Sequence, residues 1–209
     1  MMSKTHLSVG MAAALAVSPA ANLSECLIIL AGGAIGGVIP DVDILDDDYK
    51  HDALIGEVVA FSLLIVSVIA SIFNGNPIIN YVTAHKLLAI IGGIGFIVLW
   101  FVGFSSDHRD FTHSFLCMLL FSICIVLIYP SFFVPFAIGY FSHLALDILN
   151  KKGIRLFFPS DKEICFGLCY ASKIGNAIFM IIGFIATAFL IIYRLDRSLL
   201  DKIILNKFQ

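Results

Sequence analysis

The chain has 209 residues, 60% of them apolar and only 13% charged, with a formal net charge of −2. A mean hydropathy of +1.00 excludes a soluble globular domain, in which charged residues make up about a quarter. The near-neutral charge, without a basic cluster and interleaved aromatics, gives no argument for nucleic acid as a partner. Membrane lipids are the expected surroundings, and the length suits a single integral-membrane helical domain over 1–209.

At the N-terminus, Lys4, the apolar stretch 7–16 and the small residues Val17-Ser18-Pro19-Ala20-Ala21 have the outline of a signal peptide. The segment is expected to be retained, because another apolar run follows at once and cleavage would discard His6. Apolar runs then read as 7–21, 23–39, 53–73, 87–104, 115–129, 132–149 and 174–193. Spanning takes about 20 residues, with roughly 17 as the practical lower limit. The third, fourth and seventh runs are therefore spans, and the first and fifth are half-spans or tilted packing helices. The fold class expected is an all-α, polytopic membrane helix bundle of about six to seven apolar helices.

Gly32, Gly33, Gly36 and Gly37 let another helix approach the second run closely, and Gly92, Gly93 and Gly95 do the same in the fourth. Asn22 with Ser24, Asn74-Gly75-Asn76-Pro77 and Tyr129-Pro130-Ser131 carry turn chemistry. Residues 150–173 are long enough for a structured cap outside the membrane, and 194–209 form a polar tail. The five cysteines, Cys26, Cys117, Cys124, Cys165 and Cys169, form no CxxC pair. A disulfide framework or a thiolate zinc site is therefore not expected, and apolar filling is.

The polar residues are not scattered evenly. Asp107-His108-Arg109-Asp110-Phe111-Thr112-His113-Ser114 packs imidazoles, carboxylates, a guanidinium and hydroxyls between two apolar runs. Such groups beside a membrane core are expensive unless they pair or hold something. His6, Asp41 with Asp43, and His143 with Asp147 form three more islands. If every run crosses, three successive hairpins return all four islands to one face by parity. Lys4, Lys50, Arg109, Lys151, Lys152, Arg155, Lys162 and Lys173 share that face. Lys86, Arg194, Arg197, Lys202 and Lys207 fall on the other. The excess of cations favours a cytoplasmic site, although the basic tail pulls the other way.

His143 and Asp147 stand four apart, so on a helix both project from one side. Pro40 stops the second helix and presents Asp41 and Asp43 at its end. His108 and His113 fit a loop entering a helix, with Thr112 or Ser114 as its cap. Asp46, Asp47 and Asp48 read as a solvated loop, and His51 and His85 lack polar companions. Histidines and aspartates without thiolates make the ligand set of a hydrolytic metal site. The expected metal ligands are His6, Asp41, Asp43, His108, His113, His143 and Asp147, holding one to three divalent ions, zinc first among them. Such ions activate water for displacement at phosphorus. Arg109 is placed to steady a phosphoryl oxygen, and Arg109 and Asp43 are the expected catalytic residues.

Thr5-His6-Leu7, Ile39-Pro40-Asp41-Val42-Asp43, His108-Arg109-x-x-Thr112-His113-Ser114, and His143-x-x-x-Asp147 followed by Gly153 and Pro159 together resemble the YdjM-like family. That family consists of LexA-regulated bacterial inner-membrane proteins described as predicted metal-dependent hydrolases. The resemblance covers nearly the whole chain in the same order. It implies a multi-pass inner-membrane location and a distant similarity to zinc-dependent phospholipase C and P1-type nucleases. Those are all-helical enzymes with clustered zinc and an HxxxD pair, which His143 and Asp147 match. The function expected is hydrolysis of a small-molecule or lipid phosphoester. The alternatives are a non-catalytic protein with a structural metal site, or an ion or proton transporter.

Overall fold

In a computed structural model of the protein, residues 2–20, 22–44, 47–75, 77–168 and 173–207 are described. Eight α-helices appear among them: α1 (Ser3–Val17), α2 (Leu23–Val38), α3 (Asp47–Phe73), α4 (Pro77–Ala84), α5 (Lys86–Phe104), α6 (Phe115–Ile128), α7 (Phe133–Ile148) and α8 (Lys173–Lys207). Five helical stretches are long and apolar enough to cross a bilayer, beginning at Leu23, Tyr49, Lys86, Pro130 and Ile174. The chain is thus an all-α, membrane-type bundle, with α1 and α6 as its short members.

Local chemistry sets the ends. The Asn22 side chain accepts a hydrogen bond from Glu25 N at 2.9 Å and donates from Nδ2 to Glu25 Oε1 at 3.0 Å. This reciprocal cap starts α2. Pro40 then tightens the chain into a 3-10 turn, Ile39–Asp43. Of the two candidate caps for α6, Ser114 takes the role, its Oγ accepting from Cys117 N at 3.1 Å. Helix α4 falls where the sequence shows only a turn region. Pro77 at its first position is suited to start a helix, since the missing N–H would have no partner there. Asp47 and Asp48 open α3 and do not form a loop, because carboxylates are favoured at a helix N-terminus. Asp46 lies outside the described residues.

Helix α2 is the central element and packs against α1, α3 and α7. Glycine makes these approaches close. A Cβ on Gly10 of α1 would lie 2.5 Å from the Gly33 carbonyl oxygen, and one on Gly32 would lie 2.7 Å from Pro135 Cβ. Helix α8 covers α1, where a Cβ on Gly183 would meet Ser8 Oγ at 2.6 Å. Its Asn176 also pins the start of α1: Met2 N donates to Asn176 Oδ1 at 3.1 Å, and Thr5 Oγ1 to the Asn176 carbonyl at 3.1 Å. Helices α3, α5 and α8 turn Ile65, Ile94, Phe101, Ile185 and Ile192 outward, the surface that a bilayer solvates. Cys26, Cys117 and Cys124 are buried and Cys165 is exposed; Cys169 lies outside the described residues.

The loop after α7 is folded back onto the bundle. Ile154 and Ile164 form an antiparallel bridge, and Phe115 N donates to the Leu156 carbonyl at 3.0 Å. This holds residues 150–164 over the end of the helices where α2, α7 and the 105–114 segment meet.

Close packing makes a testable contrast. Gly36→Ala places a methyl against the α7 backbone, 2.8 Å from Tyr140 N, and is expected to lower stability by about 1–3 kcal/mol. Gly93→Ala meets nothing within 4 Å and should be neutral, or stabilising by up to about 1 kcal/mol. Unfolding of both variants in detergent micelles checks this; equal losses would contradict the packing.

Candidate metal centre

Four segments deliver the polar side chains. His6 stands in the second turn of α1, Asp41 and Asp43 in the 3-10 turn after α2, and His143 and Asp147 one turn apart on α7. His108 lies in the segment following α5, and His113 ends a second 3-10 turn, Phe111–His113. His6, His113 and His143 are 0% exposed, and Asp41, Asp43 and Asp147 are at most 2% exposed.

These groups form three overlapping donor sets: His6 with His143 and Asp147, Asp41 with His113 and His143, and Asp43 with His108 and His113. His143 and His113 are shared, so the sets make one continuous row. At its middle, His143 Nε2 and His113 Nε2 are 3.2 Å apart. Asp147 Oδ2 is 3.3 Å from His113 Nε2 and 3.6 Å from His143 Nε2. Asp41 Oδ1 is 3.8 Å and 3.6 Å from the same two nitrogens. A tetrahedral zinc with bonds of about 2.0–2.1 Å spaces its ligand atoms about 3.3–3.4 Å apart. His113, His143 and Asp147 are therefore spaced to share such an ion with shifts of a few tenths of an ångström, and Asp41 joins His113 and His143 in a second overlapping set.

The surroundings set the orientation of these rings. His143 Nδ1 lies 2.8 Å from the Gly37 carbonyl oxygen, which can only accept, so Nδ1 carries the hydrogen and Nε2 is bare. That is the outer hydrogen bond expected of a metal-binding histidine. On His113, Nδ1 is 3.0 Å from Thr112 Oγ1 and 3.5 Å from Asp43 Oδ2. Asp43 in turn accepts from Thr112 Oγ1 at 2.5 Å and from Arg109 N at 3.2 Å. His108 Nδ1 donates to Asp43 Oδ1 at 2.6 Å. Asp43 is thus the carboxylate behind both His108 and His113. Tyr140, fully buried on α7, donates its hydroxyl to the Thr112 carbonyl and fixes the 3-10 turn that carries His113.

Two features show a demand for positive charge. His6 stacks on His143 with ring centroids 3.7 Å apart, yet neither of its nitrogens has a hydrogen-bond partner among the described residues. Its Nε2 stands 3.4 Å from Asp147 Oδ1. At His113, burial lowers the pKa, but Asp43 and Asp147 outweigh it and raise it to about 9. A fully buried imidazole that holds a proton beyond neutral pH marks a cation-seeking site.

Arg109 is held to the row by its backbone N–H, while its NH1 donates to the Lys152 carbonyl at 2.8 Å. Asp110 is paired with Arg155 at 2.8 Å. His85 is bonded to the Tyr81 carbonyl and stacks on Tyr81. It lies at the opposite end of α5, about 28 Å away by helical rise. Thr112, as a link between Asp43 and His113, the Gly37 carbonyl, Tyr140 and Asn176 go beyond the residues singled out by sequence.

A family described as YdjM inner membrane protein matches residues 1–201. No curated protein and no solved structure matches the chain.

A metal at the middle of the row must displace the proton from His113 Nε2. Apparent zinc affinity is therefore expected to weaken about tenfold for each pH unit below about 9, down to the ordinary histidine range. Competition with a chelating dye at pH 8 and pH 6 measures this, and a pH-independent affinity would rule out His113 as a ligand.

Proposed function

The chain belongs to the YdjM inner membrane protein family, and we propose that it serves there as a membrane-bound, metal-dependent hydrolase of a phosphoester. The observation that carries this reading is the burial of His113, His143, Asp41 and Asp147 side by side, in overlapping sets of donors that could hold an ion. Behind it, His143 is tied to the Gly37 carbonyl and His113 to Thr112 and Asp43. Zinc is the first candidate, in one to three copies along the row. When bound, such an ion polarises a phosphoryl oxygen and makes water a competent nucleophile near neutral pH.

The chain's own residues divide the remaining work. His108 is the one member of the row well open to solvent, its side chain 39% exposed. With Nδ1 donating to Asp43 Oδ1, it keeps a bare Nε2 able to accept a proton or bind an ion. Asp43 holds the hydrogens of His108 and Thr112 and fixes the orientation of both. Arg109 hangs from Asp43 by its backbone N–H and offers guanidinium hydrogens to phosphoryl oxygens. A bilayer-edge position favours a lipid-borne ester over a small soluble one.

A structural metal is the second reading, and one observation favours it. Four protein donors lie together in the inner part of the row, and an ion bound by all four would lack the position for water that catalytic zinc keeps. Hydrolysis then belongs to the outer set of Asp43, His108 and His113. A transport path is less well supported, since the polar islands gather at one end of the bundle.

Purified protein should carry stoichiometric divalent metal, and the double variant His143→Ala with Asp147→Ala should bind it at least tenfold more weakly. Wild type should release phosphate from phospholipids or phosphomonoesters, and the double variant should not. Metal-free wild type would overturn the proposal. Tightly held metal without turnover, and with a cobalt spectrum showing no exchangeable position, would establish the structural reading.

A further inference from the structure

Beside the donor row lies a cleft of about 570 Å³, and its geometry points to a subsite for a phosphate-bearing polar group. As the part of the substrate beyond the scissile bond, that group rests on the hydrolase reading; as an anion site it stands alone. Every wall residue is charged, histidine or Gly153. The volume suits a small ligand, but such pockets are usually apolar. This one offers no surface for an acyl chain, which would stay in the bilayer. His108 lines the cleft and also belongs to the outer donor set. With the inner donors buried, this is the side from which a solute meets the row.

The charge balance selects an anion. Arg109, Lys151, Lys152 and Arg155 face the carboxylates Asp107, Asp110 and Glu163. Arg155 and Asp110 satisfy each other through contacts of 2.8 Å from both Nε and NH1. By composition the wall carries four cations and three carboxylates, and Arg155 is shared between Asp110 and Asp161.

Arg109 is the best-defined of these cations. Its φ is +76°, in the left-handed region that side chains with a Cβ avoid. Three bonds hold it there: its N to Asp43 Oδ2 at 3.2 Å, its carbonyl accepting from Arg155 N at 3.2 Å, and its NH1 to the Lys152 carbonyl at 2.8 Å. The same guanidinium keeps a buried Nε with no partner among the described residues. Where the guanidinium lines the cleft, a phosphate oxygen is the acceptor it fits best. The backbone conformation thus anchors Arg109 on the donor row while its side chain joins the cleft wall.

The left-handed backbone also supplies a clean variant. Arg109→Gly removes the guanidinium at a position where glycine is favoured, so the fold should be kept or stabilised. The full chain in neutral detergent would be titrated calorimetrically with inorganic phosphate and, separately, with dihexanoyl phosphatidic acid. Saturable binding is expected, weakened about tenfold by Arg109→Gly and by Lys152→Ala, partly restored in Arg109→Lys, and unchanged by Lys86→Glu at the far end of α5. Tight binding of the lipid alone identifies a lipid head group; equal binding of both identifies a free phosphate ester. No binding, or equal affinity in wild type and the two cleft variants, overturns the subsite. If Arg109→Gly does not fold, Lys152→Ala decides alone. In the metal-site variant His143→Ala with Asp147→Ala, cleft binding should persist. Loss of metal therefore sinks the hydrolase reading only, and metal without phosphate binding sinks the subsite only.

Discussion

Carboxylates removed from water need compensating charge, and Asp41, Asp43 and Asp147 are nearly fully removed. Desolvating an ion leaves a penalty of several kcal/mol even after the protein relaxes. Asp41 meets imidazoles, and Asp43 meets imidazoles, a hydroxyl and a backbone N–H. Neutral imidazoles cannot balance the charge. A proton on His113 can balance it, and so could a metal ion in its place. The arrangement of Thr112, Tyr140 and Gly37 follows from that need, because the rings must be fixed for bare nitrogens to converge.

The fold supplies the convergence by close packing. Glycines on α1, α2 and α7 bring the backbones together, so donors from different helices meet at one end of the bundle. The three-residue turn that carries His113 is tied to α7 through Tyr140 and to the 150–164 loop through Phe115 N. The lipid-facing helices α3, α5 and α8 enclose this inner group. Each also supports the site: α8 through Asn176, α3 through the Asp52–Lys4 ion pair at 3.1 Å, and α5 through the close approach of Gly103 to Thr112 and Val42.

Much of this could be read from the chain because membrane helices impose arithmetic. Runs near 20 apolar residues must cross, hairpins restore the side, and polar islands at the ends of alternate runs therefore meet. The spacing of His143 and Asp147 carried their shared face without any tertiary knowledge. What escaped detection has physical reasons too. A backbone carbonyl such as that of Gly37 leaves no mark in a sequence. Tyr140 and Asn176 look like ordinary residues of an apolar run until their partners are known. Helix α4 hid behind Asn74-Gly75-Asn76, whose turn chemistry outweighed the signal of Pro77. Asp43 carried two expectations, ligand and catalytic group, and its contacts with His108, Thr112 and Arg109 show how one carboxylate can orient the groups around it.

The pinning of α1 by Asn176 bears on how the molecule is made. A polypeptide emerges from its N-terminus, so His6 enters the membrane long before Asp147 and Asn176 exist. Until α7 inserts the row lacks its final carboxylate, and until α8 follows the first helix lacks its Asn176 tether. The donor row is therefore complete in sequence once translation has passed residue 147, but the helix that carries His6 is pinned only after residue 176 has followed.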